Sequence, residues 1–110
     1  MSFKCFISHL LNNISTEHGD IYLFEQLLST IWIQGIVVEK SYGKSLDSHI
    51  RIDDGTGNIL VSLEDCLHDQ NSGPISVGDY LLIKGPIICG IDSVTGKQVT
   101  VVQGKYLYII

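Results

Sequence analysis

Apolar and polar residues alternate along most of the chain after residue 29, with the period of two that is typical of β-strands. The segment TIWIQGIVVEK predicts a first strand about ten residues long that is apolar on both faces. Its alternating sets are Ile31, Ile33 and Val37 on one face, and Trp32, Ile36 and Val38 on the other. A long strand that is apolar on both faces is expected in a barrel that has an additional element covering one end.

Four more strands are predicted after the first, namely LDSHIRID, NILVSLED, GDYLLIKGPIICG and KQVTVVQGKYLYII. The second and third enclose the run DDGTG, whose Asp-Gly pair is a strong hairpin signal. The first, fourth and fifth contain an internal glycine (Gly35, Gly85 and Gly104), which in a strand marks a bulge or a sharp bend. We therefore expect an all-β protein, a five-stranded, partly open OB-fold barrel, rather than a sandwich of about seven strands.

Residues 1–28 predict a short N-terminal helix and a lead-in, with the barrel over residues 29–110 of a single domain. Apolar side chains recur at helical spacing over residues 2–12, with Ser2 as a cap. We expect this helix to plug the core; a free docking helix is the alternative. The run NNISTEHGD predicts a connector, and IYLFEQLLST fits either a helical turn or an extended lead-in.

Composition points to one globular domain, because 45% of the 110 residues are hydrophobic and 17% are charged. The net charge of -5, with seven Lys and Arg, lacks the basic footprint of a nucleic-acid-binding protein. Cys5, Cys66 and Cys89 show no metal or redox spacing, so we expect reduced thiols of an intracellular protein. The N-terminus is too polar for a secretory signal and no apolar run reaches about 18 residues, so we expect a soluble protein.

Catalytic chemistry is not predicted. The four histidines lie on different predicted elements, without the spacing of a metal site or a nucleophile-base pair. The glycine-rich run DDGTGN lacks the Gly-Lys-Ser/Thr end of a P-loop and the ligand spacing of an EF-hand. We therefore predict no enzyme activity, no catalytic residue, no metal and no cofactor.

Single-stranded nucleic acid is bound in OB folds over strands two and three and the loops beside them, where bases stack on aromatic rings. Here those two strands hold no Phe, Tyr or Trp. The possible contacts are Tyr42 and Lys44 in the loop after strand one and Arg51 on strand two. One aromatic residue makes a poor stacking surface, so we expect weak or no direct DNA binding.

Protein contact is the remaining class of function. The C-terminal run KYLYII contains Tyr106 and Tyr108 among aliphatic residues, and such residues anchor protein interfaces. Half of this run must face inward to complete strand five, so the outward half is the candidate interface.

Two elements carry a resemblance to a known family. The run Trp32-Ile33-Gln34-Gly35-Ile36-Val37-Val38, followed by the hairpin at residues 53–57, resembles the second subunit of the RecQ-mediated genome instability complex. A later Gly-x-Tyr-x-x-x-x-Gly pattern is matched by Gly78, Tyr80 and Gly85. The hairpin alone is shared with the middle subunit of replication protein A and with telomere-capping relatives.

The resemblance implies a non-catalytic nuclear scaffold. It implies pairing with a larger OB-containing subunit and an indirect link to a RecQ-family helicase and a type IA topoisomerase that dissolve double Holliday junctions. It also implies that Lys4 in the N-terminal helix, Trp32 and Lys105 contribute to the helicase-facing surface. The family pattern continues with a helix after strand five, which we expect either to have been removed or to come from the partner. The alternative is a single-stranded-DNA-binding subunit like the middle subunit of replication protein A.

Overall fold

A computed structural model describes residues 2–42, 48–64, 66–68 and 75–110. These ranges contain one helix, α1 (Ile7–Asn12), and twelve strands. The strands are β1 (Ser2–Lys4), β2 (Ile14–Glu17), β3 (Asp20–Leu23), β4 (Gln26–Leu27), β5 (Thr30–Tyr42), β6 (Ser48–Asp53), β7 (Asn58–Ser62), β8 (Leu67–His68), β9 (Tyr80–Gly85), β10 (Ile87–Ile91), β11 (Gln98–Gln103) and β12 (Tyr106–Ile109). No helix of the described ranges is long and apolar enough to cross a membrane.

The main sheet has the strand order β10-β11-β7-β6-β5-β9-β12-β8, with β1 added in parallel beside β5. Predicted strands one, two and three are β5, β6 and β7. Predicted strand four is divided into β9 and β10, and predicted strand five into β11 and β12. Strand five therefore lies beside strand three through β11, while strand four returns to strand one through β9. This curled arrangement is that of an OB-like barrel, which confirms the predicted fold class.

Predicted strands four and five each bend near the internal glycine that the sequence analysis noted, Gly85 and Gly104. A Cβ atom on Gly85 would overlap the carbonyl oxygen of Gln103, so only glycine allows the backbones to approach this closely. The ladder continues through the bend, because Gln103 donates to the Pro86 carbonyl at 2.8 Å and Lys105 to the Lys84 carbonyl at 2.9 Å. The bend turns both strands around the core together.

The bulge in the first strand lies three residues after the glycine at which the sequence placed it. The register with β6 shifts between Val37 and Glu39, which leaves Val38 as the extra residue. Gly35 is needed for another reason, since a Cβ there would collide with the side chain of Ile52 and the backbone of Asp53. The prediction of a bulge or bend at Gly35 is therefore corrected to a close approach.

The inner face of the barrel is aliphatic, as the alternation predicts. Ile31, Ile33 and Val37 of β5 are at most 1% exposed, and the inward isoleucines of β6 are at most 2% exposed. Burial of each such side chain stabilises the fold by about 1.5–3 kcal/mol. Helix α1 covers one end and inserts Ile7 and Leu10 into the same core, which confirms the plugging role.

The N-terminal segment differs from the prediction. Residues 2–12 do not form one helix, because Ser2–Lys4 pair in parallel with Thr30–Trp32 of β5. Cys5 continues this pairing by donating to the Trp32 carbonyl at 3.2 Å, and the helix begins only at Ile7. The backbone bonds offered by an open sheet edge outweigh a weak helical pattern. The expected connector and lead-in instead form the small antiparallel sheet β2-β3-β4.

Candidate protein-interaction surface

The outward side chains of β5, β9 and β12 form one continuous surface. The strand registers align three rows across it, because directly paired residues point to the same side of a sheet. We call this surface the outer tyrosine face and define it by Trp32, Lys84 and Tyr106 in the first row, Gln34, Leu82 and Tyr108 in the second, and Ile36, Tyr80 and Ile110 in the third.

One end of the outer tyrosine face is apolar. Ile36, Tyr80, Tyr108 and Ile110 are between 42% and 66% exposed. Contiguous exposed apolar side chains on a small protein mark an interaction site more often than scattered ones do. Exposed tyrosines strengthen this interpretation, because their rings bury a large area and lose little conformational entropy on binding.

The other end is basic and is centred on Trp32. The ammonium groups of Lys4 and Lys84 lie 5.1 and 5.0 Å from the centroid of its rings. Both are within cation–π range, which fixes the lysine side chains against the ring. Among the described residues, the indole nitrogen of Trp32 is a buried polar atom without a hydrogen-bond partner.

The five predicted interface residues are located as follows. Lys4 lies in β1, directly opposite Trp32. Its predicted position in the N-terminal helix is therefore wrong. Tyr106 and Tyr108 are about half exposed on the outer tyrosine face. Lys105 is half-buried at the bend, where its backbone N–H donates to the Lys84 carbonyl.

The sequence reasoning missed Lys84. It lies opposite Trp32 in the register of β5 with β9 and opposite Tyr106 in the register of β9 with β12. Its position could have been found from the antiparallel pairing of strands one and four, but the sequence alone does not fix that register.

The acidic hairpin anchors the N-terminal helix, which the sequence reasoning also missed. Asp54 accepts hydrogen bonds at 2.9 Å from the backbone N–H groups of Ile7 and Thr56, and the Thr56 hydroxyl accepts one from Ser8 N–H at 3.1 Å. Burial raises the pKa of Asp54, but the bonds from Ile7, Thr56 and Gly57 outweigh it and hold the pKa below its usual value. The carboxylate is thus held in its charged form.

The predicted nucleic-acid contacts are placed only in part. Lys44 lies outside the described residues. Tyr42 is the last residue of β5, and the structure describes its backbone. Arg51 lies on the outward side of β6 and donates to the side-chain oxygen of Asn58 at 3.0 Å. Its Nε atom is also 3.8 Å from the Glu39 carboxylate. Its guanidinium therefore already has protein partners on the face where OB folds bind single strands.

The described side chains bring together no group of three or more His, Cys, Asp or Glu that could hold a metal ion. Cys5, Cys66 and Cys89 are free thiols. Burial raises the pKa of Cys5 to about 11, with a further contribution from the charge of Asp54, and burial also raises the pKa of Cys66. Both thiols are therefore protonated at neutral pH and act in packing.

Solved structures of OB-fold complexes are similar to this chain over nearly its whole length. A chain of a replication protein A heterotrimer bound to single-stranded DNA matches with a TM-score of 0.75 and 15% identity, covering 100% of this chain and 81% of that one. A chain of the S. pombe Stn1–Ten1 complex matches with a TM-score of 0.69 and 18% identity, covering 96% and 75%. At these identities the similarity shows the OB fold alone. No curated protein sequence matches the chain.

The strand order and the similar solved structures define a protein of the OB-fold class. The sequence profile of the family RecQ-mediated genome instability protein 2 matches residues 12–103, which is 92 of the 110 residues. The chain belongs to this family. The match confirms the resemblance that the Trp-Ile-Gln-Gly strand and the acidic hairpin indicated.

Proposed function

We propose that this chain is a non-catalytic interaction subunit that pairs with a larger OB-containing subunit of the same complex. The carrying observation is the apolar end of the outer tyrosine face, where several apolar side chains are about half exposed on adjacent strands. A partner strand or helix that covered them would remove their apolar area from water, at about 25 cal/mol per Å². Family membership supports a role in genome stability.

The basic end of the same face is the proposed helicase-facing surface. Lys4 and Lys84 flank Trp32 there. The backbone N–H of Lys105 donates to the Lys84 carbonyl, which places Lys105 next to Lys84 along the ladder. We propose that this surface links the paired subunits to a RecQ-family helicase and a type IA topoisomerase during dissolution of double Holliday junctions. That role implies a nuclear protein.

Light scattering of the purified chain, mixed with the larger OB-containing subunit, tests the pairing. The wild type is expected to form a complex with the summed mass. Replacement of Tyr108 and Ile110 by Ser removes two exposed anchors and should weaken pairing about thirtyfold or more, the effect of an interface hot spot. Val94, which is 90% exposed in the loop between β10 and β11, supplies the matched control V94S.

The control variant is expected to pair like the wild type. A wild-type chain that stays monomeric in the presence of the partner would contradict the proposal, and so would equal weakening by V94S. The helicase link is tested separately, because W32A and K84E should lose helicase capture by the paired subunits while the pairing itself stays intact.

A further inference from the structure

Strand β10 (Ile87–Ile91) is an open edge of the main sheet. Among the described strands it pairs with β11 on one side and ends the strand order on the other. Natural edge strands are usually protected against further pairing by charged side chains, an internal proline or a bulge. β10 has none of these, because its sequence is Ile-Ile-Cys-Gly-Ile and its register with β11 is unbroken. This edge can therefore accept a further strand.

The hydrogen-bonding groups on the open edge follow from the bonds at the two ends of β10. The N–H of Asp92 donates to the Lys97 carbonyl at 2.9 Å. The N–H of Gln103 donates to the Pro86 carbonyl at 2.8 Å. Hydrogen-bonded pairs alternate along an antiparallel ladder, so the even-numbered residues of β10 bond to β11 and the odd-numbered residues turn their N–H and C=O groups to the open edge. These outward residues are Ile87, Cys89 and Ile91.

A groove of about 680 Å³ runs along this edge and is lined by every residue of β10. Its opposite wall belongs to the β2–β3 hairpin and contains Thr16 and Ile21. The lining residues that the structure describes are all uncharged. Ile88 is 50% exposed and Ile91 is 77% exposed. Unpaired backbone groups beside exposed branched side chains fit an extended, uncharged strand.

The chain itself carries a strand that matches this edge, namely β10 of a second copy. Two identical strands that pair antiparallel about a two-fold axis present the same groups to each other. With the axis at Cys89, this residue pairs with its counterpart and Ile87 pairs with Ile91, so each pair exchanges two hydrogen bonds. Ile88 then lies opposite Gly90, where a Cβ atom would meet nothing within 4 Å. The glycine thus leaves room for the branched side chain of Ile88.

The negative charge of the chain lies away from this contact. The net charge is -5, but β10 itself is uncharged. The carboxylate of Asp92, the residue after the strand, accepts the N–H groups of Val94 and Thr95 in its own loop at 2.8 and 3.3 Å. In the self-paired register the two Asp92 residues lie at opposite ends of the paired strands, about 20 Å apart. That separation exceeds the screening length of about 8 Å at physiological salt, so their repulsion is weak.

We propose that β10 of this chain pairs with β10 of a second copy, which joins two barrels through one continuous sheet. The inference goes beyond the proposed function, because the outer tyrosine face is a different surface and lies on β5, β9 and β12. A single pair of strands buries less area than a standard interface. We therefore expect a Kd on the order of 100 μM for the isolated chain.

Sedimentation velocity of the full chain over about 10–500 μM measures this association. The sedimentation coefficient of the wild type should rise with concentration toward that of a dimer. The decisive variant is C89P, which removes the outward N–H at the two-fold axis. The ladder with β11 does not use that N–H, and proline is tolerated on an edge strand in this orientation. C89P should unfold cooperatively in urea and associate at least tenfold more weakly.

I88K tests the same contact without a change in the backbone, and serves if C89P fails to fold. Ile88 is half exposed, so a lysine there is accommodated in the monomer, and a charge on an edge strand opposes pairing. It should also weaken association at least tenfold. The matched control is V94S, which lies on the same hairpin beyond β10 and should associate like the wild type.

Crosslinking with the short reagent bismaleimidoethane tests the register. Residues in a hydrogen-bonded antiparallel pair have Cα atoms about 5.5 Å apart, so the two Cys89 thiols lie within reach of one reagent molecule. Each maleimide adds one thiol, and mass spectrometry of the covalent dimer should identify a link between Cys89 and its counterpart. I88K should give at least tenfold less of this product at the same concentration.

A wild-type chain that stays monomeric at about 500 μM would overturn the inference. Association that C89P and I88K leave unchanged, or a covalent dimer linked only through Cys5 or Cys66, would do the same. The variant Y108S/I110S should self-associate like the wild type, and C89P should still bind the larger OB-containing subunit. Failure of wild-type pairing with that subunit, with self-association intact, would count against the proposed function alone.

Discussion

Substitution of Asp54 by Asn tests whether the hairpin holds the N-terminal helix in place. The carboxylate accepts the backbone N–H of Ile7 through one oxygen and the backbone and hydroxyl of Thr56 through the other. Ile7 is fully buried and begins α1. An Asn side chain has one acceptor oxygen and one donor nitrogen, so at least one of these donors loses its partner.

The expected loss follows from which donor remains unpaired. A buried N–H without an acceptor costs about 1–3 kcal/mol, whereas the Thr56 donors are exposed and can turn to water. Part of the carboxylate also remains in water, which screens its charge. We therefore expect D54N to lower the free energy of unfolding by about 1–2 kcal/mol.

Urea denaturation and hydrogen exchange provide the assay. The amides of Ile7–Leu11 should exchange faster in D54N than in the wild type. D53N is the matched control, because the Asp53 carboxylate accepts the Gly55 N–H at 2.7 Å within the hairpin, and this substitution should leave helix exchange unchanged. A D54N protein with wild-type stability and helix protection would refute the anchoring role.

The pH dependence has a definite sign. The pKa of Asp54 is lower in the folded than in the unfolded protein, so its contribution is present above about pH 4 and is lost as the pH falls through the folded pKa. The difference in stability between wild type and D54N should therefore shrink below about pH 4. If the stability difference between wild type and D54N grew below about pH 4, the lowered pKa of Asp54 would be contradicted.

Three further results are expected. Gly85→Ala should lower the free energy of unfolding by about 3 kcal/mol, because the new methyl group meets the backbone of Gln103, and a urea midpoint near that of the wild type would contradict this. Iodoacetamide should alkylate Cys5 about a hundredfold more slowly in the native protein than in urea at pH 8, because burial raises the pKa of this thiol to about 11. Mass spectrometry measures both rates, and equal rates would contradict the burial of Cys5. Fluorescence anisotropy on oligo-dT should give a Kd weaker than about 10 μM at physiological salt, unchanged by R51Q; sub-micromolar binding with a steep salt slope would favour the alternative of a DNA-binding subunit.

The barrel could be predicted because its signals are local. The Asp-Gly hairpin and the alternation in β5 and β6 fix inward and outward faces without knowledge of neighbouring strands. Gly85 marked its bend for the same reason, since the close approach of the Gln103 backbone requires a residue without a side chain.

The N-terminal region and half of the surface could not be predicted in this way. Lys4 belongs to a strand because β5 offers an open edge, and the spacing of apolar residues in the segment itself gives no sign of that edge. The turn at Phe24 carries neither Asn nor Gly, so the usual hairpin signal is missing where the hairpin forms. Lys84 lies beside Trp32 because of the register between β5 and β9, and the sequence of either strand alone does not fix that register.

Side-chain oxidation footprinting of the chain with and without the larger OB-containing subunit tests the central claim most directly. Tyr108 and Ile110 are predicted to be protected on pairing, while Val94 and Phe24 keep the reactivity of the free chain. Protection of the β6–β7 face, with Tyr108 as reactive as before, would contradict the assignment of the apolar end of the outer tyrosine face as the pairing surface.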